Sequence, residues 1–428
     1  MYRRMSGLVL SLTMCMGVTA AWASDDPTTN ASLRAELDML KRKMERIESQ
    51  LNGQPVPLGS TSTVSTSDRL GLPTLQLPSG LAGLQLSGLV DTSYIFNFNT
   101  PSAGGGRTNR GRFYDNEPNG FTPHLFELDL EKQVSDEAPI GFRADLTLGD
   151  DVALTKSTGL GVAGEDVDLQ QAYAVVRIPI GSGLDVKAGK FVTTIGAEVA
   201  ESPANWNFSR SFLFSYAEPA THTGVLLSYP VTDMLAVNGG LVNGWDIVDD
   251  NNKGKSLLTG ITVTPMTGVS LIGNLITGPE QACNSKDDRT LLDFVASWQA
   301  TEQLAFMANY DFGHEGAGPA TGFDSKEWQG LALYAKYDIS PVWALAGRWE
   351  WFDDKANFRS ALTGRDGSAP SGIDFFGYTL TSQWKLYEHV LARLEYRRDQ
   401  AGEQVFFRNS GDFTDHQDTV SAELAYHF

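Results

Sequence analysis

Residues Leu84 to Asn99 read Leu-Gln-Leu-Ser-Gly-Leu-Val-Asp-Thr-Ser-Tyr-Ile-Phe-Asn-Phe-Asn. One phase of this stretch holds Leu84, Leu86, Gly88, Val90, Thr92, Tyr94, Phe96 and Phe98, and the other holds Gln85, Ser87, Leu89, Asp91, Ser93, Ile95, Asn97 and Asn99. A period of two is that of an extended strand whose two faces meet different environments. The pattern recurs where Phe294, Ala296 and Trp298 alternate with Asp293, Ser297 and Gln299. It recurs again where Trp343, Leu345, Gly347 and Trp349 alternate with Ala344, Ala346, Arg348 and Glu350. In Phe376, Tyr378, Leu380 and Trp384, against Thr379, Thr381, Gln383 and Lys385, the aromatics sit toward the strand ends, as a membrane-interface belt requires. A soluble sandwich would bury the apolar face. Strand length, aromatic placement and an export leader favour instead a closed barrel in lipid, where no strand edge is left unpaired.

Strands are expected near 84–99, 123–132, 140–149, 167–179, 184–195, 223–230, 234–245, 256–264, 269–277, 290–299, 303–313, 327–339, 342–352, 373–386, 389–398 and 418–428. Short connections such as Gly181-Ser182-Gly183, Pro265 to Gly268 and Ser340-Pro341 trade with long polar ones, as periplasmic turns trade with outer loops. The fold class is therefore all-β, a closed antiparallel transmembrane barrel of about 16 strands over residues 84–428, with both termini in the periplasm. The last strand ends Val420, Ala422, Leu424, Tyr426, Phe428, which resembles the C-terminal insertion signal of bacterial outer-membrane proteins.

The chain has 428 residues and a formal net charge of −19, its 52 acidic residues facing 33 basic ones, two of which (Arg3 and Arg4) lie in the leader. Phosphate binding calls for clustered Lys and Arg, so nucleic acid is not an expected partner. After the N-terminus no apolar run reaches the roughly 18 residues of a helical span. Arg3-Arg4, the apolar run Gly7 to Ala20 and Ala21-Trp22-Ala23 form a secretory signal peptide over residues 1–23, with a membrane anchor as the alternative. Cys15 lies in that leader, so Cys283 has no intrachain disulfide partner in the mature chain.

Residues 24–52 hold a coiled-coil pattern: Leu33, Leu37, Leu40, Met44, Ile47 and Leu51 alternate in spacings of four and three. Glu36 with Lys41 and Lys43 with Glu48 fall at g and e positions and pair between parallel neighbours, which makes these six apolar residues the expected oligomerisation seam of a homotrimer or a dimer. A single amphipathic helix packed on its own protein is the other possibility. Residues 53–83, rich in Pro, Gly, Ser and Thr, read as an extended tether.

Between the fifth and sixth strands, residues Gly196 to Thr223 interrupt the alternation. This segment carries Glu198, Glu201, Arg210, Glu218 and His222 beside Trp206, Phe208, Phe212, Phe214 and Tyr216. So much apolar surface is costly to leave in water, and a segment folded against the inner wall would set the width and charge of a channel. An outer cap packed among neighbouring loops would explain the aromatics equally well. Of the charges in strands, Arg143, Arg348, Arg393 and Arg397 share the polar phase with Glu127, Asp129, Asp145, Glu350 and Glu395, and all nine are expected to line the lumen; mutual i, i+2 pairs with no role in transport are the other reading. No histidine spacing fits a metal site, and Asp249 to Gly260 lacks the Glu that closes a calcium loop; neither metal nor cofactor is expected, and no nucleophile motif points to an enzyme.

The pieces Gly189-Lys190-Phe191, Gly196-x-Glu198, Asn205-Trp206-Asn207, Ser209-Arg210-Ser211 and His222-Thr223-Gly224, in that order, resemble the OmpL-like outer-membrane β-barrel porins. The resemblance extends over Leu84 to Phe428 and implies a pore for passive diffusion of small hydrophilic solutes or ions across the bacterial outer membrane, in contact with its lipid. It implies further that Glu198, Glu201, Trp206 and Arg210 belong to the constriction loop found at this position in sixteen-stranded porins. Rows of opposite charge across the channel would then create a transverse field. A structural or adhesive barrel, tied to the envelope through its coil, is the competing reading.

Overall fold

The computed structural model describes residues 75–76, 83–101, 108–161, 166–364, 367–409 and 412–428. The expected leader and coil lie outside these residues, as does nearly all of the tether.

Sixteen strands make the barrel: β1 (Leu84–Asn97), β2 (Gly120–Lys132), β3 (Ile140–Leu148), β4 (Val167–Ile178), β5 (Leu184–Val192), β6 (Thr221–Thr232), β7 (Leu235–Val242), β8 (Ser256–Met266), β9 (Val269–Pro279), β10 (Asp288–Gln299), β11 (Leu304–Glu315), β12 (Lys326–Ser340), β13 (Trp343–Asp354), β14 (Ile373–Tyr387), β15 (Val390–Ala401) and β16 (His416–His427). Each pairs antiparallel with its sequence neighbours. The last closes on the first, from Thr419 opposite Asn97 to His427 opposite Leu89. The C-terminal Phe428 completes this seam, because its backbone and that of Gly88 exchange hydrogen bonds of 3.0 and 3.1 Å. Its ring lies so close to Gly88 that a Cβ there would meet ring carbon Cζ at 2.5 Å. Below that point Leu75–Gln76 pairs with Leu86 and Gln85, extending the ladder on β1.

The alternation read from the sequence is the inside-outside pattern of the wall. On β13 the side chains of Ala344, Ala346, Arg348, Glu350, Phe352 and Asp354 are buried while those between them are not. The outward face is apolar and exposed, as at Val90, Leu227, Leu271, Leu380 and Leu424. Aromatics mark both ends of this band: Phe96, Phe98 and Phe121 near the long loops, and Trp298, Tyr337, Trp343, Tyr387 and Tyr426 near the short turns. The turns are short enough to need special backbone. Gly268, between β8 and β9, adopts φ +81°, which a residue with a Cβ reaches only under strain.

Several boundaries shift by a few residues from their expected positions, and two of these shifts frame the interrupted segment. β5 ends at Val192 and β6 begins at Thr221, so the segment between them spans residues 193–220 and contains two single-turn elements, a 3₁₀ helix at Ser202–Ala204 and a π-helix at Leu213–Ala217.

Candidate functional site

The 193–220 segment lies inside the barrel. Its apolar side chains Phe212, Leu213 and Tyr216 pack in one cluster with Trp328 of β12, Phe352 of β13 and Phe375 of β14. Its polar contacts go deeper: Ser202 and Asn205 reach Arg393 and Glu423, toward the short-turn ends of β15 and β16. An outer cap would meet only neighbouring loops. Irregular backbone at membrane depth must have its N–H and C=O groups satisfied by protein, and the wall charges supply those partners.

The carboxylates take the loop's N–H groups. Glu395 accepts from the backbone of Phe208 (2.7 Å) and Ser209 (3.1 Å), and Glu350 accepts from Phe212 (2.5 Å). The guanidinium groups take its carbonyls. Arg348 donates to Ser209 and Arg210, Arg397 to Arg210 at 2.8 Å, and Arg393 to Asn205 at 3.1 Å. Each of these cations is also neutralised along or across strands: Arg348 with Glu350 (3.0 Å), Arg397 with Asp399 (2.7 Å), and Arg393 with Glu423, one contact of which is 2.7 Å. The first outer loop joins the same wall, since Arg112 pairs with Asp399 at 2.6 Å and with Asp115 at 2.7 Å.

Of the four loop residues singled out from the sequence, Glu198 bridges loop and wall, accepting from Ser211 N–H at 2.6 Å and pairing with Arg348 at 2.9 Å. Arg210 is 2% exposed. It pairs with Asp151 of the second outer loop at 3.2 Å, bonds the carbonyl of Ala200, and lies 4.4 Å from the Tyr114 ring centroid. Burial opposes its charge, but Asp151, Tyr114, Asp91 and Glu423 together outweigh that and hold the guanidinium above its ordinary value. Trp206 is half-buried and meets Tyr334 edge-on at 6.5 Å. Glu201 faces a different wall, within electrostatic reach of Glu127 and Asp129.

That second wall is acidic. Along β1 to β3, Asp91, Glu127, Asp129, Glu131 and Asp145 are buried on the inner face with Arg143, which pairs with Asp145 at 2.8 Å and with Asp129 and Glu131 at 3.5 Å. Glu127 is wholly buried, and neither of its carboxylate oxygens has a hydrogen-bond partner among the described residues. The nine expected lumen residues are thus inward-facing on two walls of different character. On β13 to β15, Arg348, Glu350, Arg393, Glu395 and Arg397 clamp the loop. On β2 and β3, Glu127, Asp129, Arg143 and Asp145 form a carboxylate-rich patch. Sequence reading missed Ser202, Asn205, Asp151, Asp399 and Glu423, which complete the clamp. Asn205 stands in the Asn205-Trp206-Asn207 piece without an assigned role, and the inward phase of Asp399 and Glu423 is the other signal available.

A sixteen-stranded barrel with an apolar outer band, short turns on one side, and its third long loop folded into a charged interior is the architecture of an outer-membrane porin. Solved structures share that fold. OmpT of Vibrio cholerae aligns with TM-score 0.53 at 11% identity, over 83% of this chain and 100% of that one. The outer membrane channel DcaP of Acinetobacter baumannii gives TM-score 0.53 at 11% identity, over 83% and 100%. The anion-selective porin from Comamonas acidovorans gives TM-score 0.51 at 12% identity, over 81% and 99%. No curated protein matches the sequence. The chain belongs to the family described as putative beta-barrel porin-2, OmpL-like, whose profile matches residues 83–428. It is accordingly a porin of the bacterial outer membrane, through which small hydrophilic solutes diffuse passively.

Proposed function

We propose that this porin prefers cations, and that its narrow passage is bounded by the inserted loop and the acidic wall of β1 to β3. One observation carries the reading. The arginines on β13 to β15 are each matched by a carboxylate, whereas Asp129, Glu131 and Asp145 share Arg143, with the charges of Glu127 and Glu201 beside them. Fixed negative charge in a confined, poorly screened passage raises the local cation concentration and repels anions. Transport is diffusive and has no catalytic step. The wild-type protein should give a cation-selective reversal potential in a KCl gradient across a planar bilayer. Glu127→Gln combined with Asp129→Asn should move that potential toward zero; an unchanged or anion-selective potential would place the passage elsewhere.

The export and assembly readings stand beside this one. Residues 1–23 serve as the signal peptide, residues 24–52 as a periplasmic coil that joins three barrels, and residues 53–83 as the tether between coil and barrel. What supports the trimer is the seam from Leu33 to Leu51 with its complementary g and e charges. Leu40→Asp with Ile47→Asp should weaken the oligomer in mild detergent while the barrel stays folded. The same oligomer in that variant would remove the coil from assembly.

A further inference from the structure

Three carboxylates meet where the inserted loop leaves the wall, and the clamp described above does not include them. Asp293 of β10 and Asp311 of β11 lie directly opposite one another across the strand pair. Both point inward and both are fully buried. Like charges directly opposed on neighbouring strands repel, and such pairs are ordinarily avoided. The loop then adds a third. Glu218, immediately after the π-helix, is 5% exposed and aims its carboxylate at the two aspartates. One oxygen from each of the three lies within 4.8 Å of the others.

The arginine-matched carboxylates of β13 to β16 set the contrast. Among the described residues, none of Glu218, Asp293 and Asp311 takes part in an ion pair. Asp293 is held in place by donors, with Asn309 Nδ2 on one oxygen at 2.7 Å and Asn274 Nδ2 (2.7 Å) and Gly196 N–H (3.2 Å) on the other. Glu218 and Asp311 are a different case: among the described residues no donor group reaches any of their four carboxylate oxygens, which face only one another and Asp293. Oxygens this deeply buried without a donor carry a large desolvation cost, which a cation or a shared proton relieves. Backbone at the site is shaped around Glu218. Gly196 sits at φ +89°, and a Cβ at that position would stand 1.9 Å from Glu218 Oε2.

We propose that Glu218, Asp293 and Asp311 hold one hard divalent cation, with calcium the best match, which fastens the C-terminal end of the inserted loop to β10 and β11. An all-oxygen, all-carboxylate donor set selects calcium, magnesium or manganese over metals that favour nitrogen and sulfur. Calcium–oxygen bonds of about 2.3–2.6 Å let two ligands on opposite sides of the ion stand as far apart as these oxygens do. A flexible geometry with carboxylates bound through one or two oxygens also suits calcium better than the strict octahedron of magnesium. The ion would make the loop's exit point as firmly held as its middle, which the arginines clamp.

The competing account is a proton shared between Glu218 and Asp311. Burial, reinforced by the charge of Asp293, pushes the Glu218 carboxyl well above the usual carboxylate range. Metal analysis at pH 7.5 separates the two. Full-length protein purified in detergent with calcium present, then freed of loose ions by gel filtration, should carry one calcium per chain more than the Glu218→Gln and Asp311→Asn variants. Chelator should lower the unfolding temperature of the wild type, calcium should restore it, and the variants should respond to neither. Glu218→Gln leaves every barrel strand unaltered, so it serves even if Asp311→Asn fails to fold. Equal metal content in wild type and Glu218→Gln, or a Glu218→Gln protein that is more stable than wild type and indifferent to calcium, would overturn the proposal in favour of the shared proton.

Discussion

Arg348→Gln tests the clamp at its centre. The guanidinium of Arg348 pairs with Glu198 at 2.9 Å and Glu350 at 3.0 Å, and it donates to the carbonyls of Ser209 and Arg210. Removing one partner from a buried ionic network leaves the remaining charges uncompensated, at a cost of about 3–5 kcal/mol. None of these contacts belongs to the strand ladder, so the loss falls on loop docking and not on barrel closure. At roughly tenfold per 1.4 kcal/mol, the equilibrium between docked and released loop shifts by about two to more than three orders of magnitude. Planar-bilayer recording should then show a larger mean single-channel conductance with rapid fluctuations, while electrophoretic heat-modifiability remains that of a folded barrel. A cycle with Glu198→Gln sharpens the test. Once Arg348 is gone, removing Glu198 should cost less than it does in the wild type, because its charge no longer has a partner to lose. Quiet channels of wild-type conductance in Arg348→Gln would refute the idea that the wall charges hold the loop.

Other outcomes follow from single positions. Gly196→Ala should destabilise the docked loop by about 1–3 kcal/mol, since it combines a φ of +89° with a Cβ 1.9 Å from Glu218, and thermal unfolding in detergent should show the lower midpoint. Cys283 is exposed in the loop that joins β9 to β10. A membrane-impermeant maleimide should therefore label it in intact cells; labelling only after lysis would invert the barrel's orientation.

The strands were legible in the sequence because their physics is local: a two-residue period, with lipid on one side and a polar interior on the other, writes itself into every strand. The alternation of Trp343 to Glu350 gave both the strand and the face of each side chain. The same pattern says which residues point inward but not what they meet there. Arg393 and Glu395 read as lumen charges, yet their partners Asn205, Phe208 and Ser209 lie far away in sequence and are joined to them only by the fold of the loop. Trp206 and Arg210 marked the inserted segment because aromatic and charged residues together suit neither lipid nor water. The meeting of Asp293 with Asp311 depends on hairpin register. Its short turn, residues 300–303, gives a local clue, whereas the arrival of Glu218 above them does not.

The central claim is that the third outer loop occupies the barrel and narrows it, and deleting Val199 to Ser215 tests it most directly. Single-channel conductance of that variant in a planar bilayer should exceed the wild-type value, with a reversal potential closer to zero as the passage widens away from the acidic wall. A deletion variant that folds and conducts as the wild type does would show that the loop lies outside the narrow region, and the account would fail.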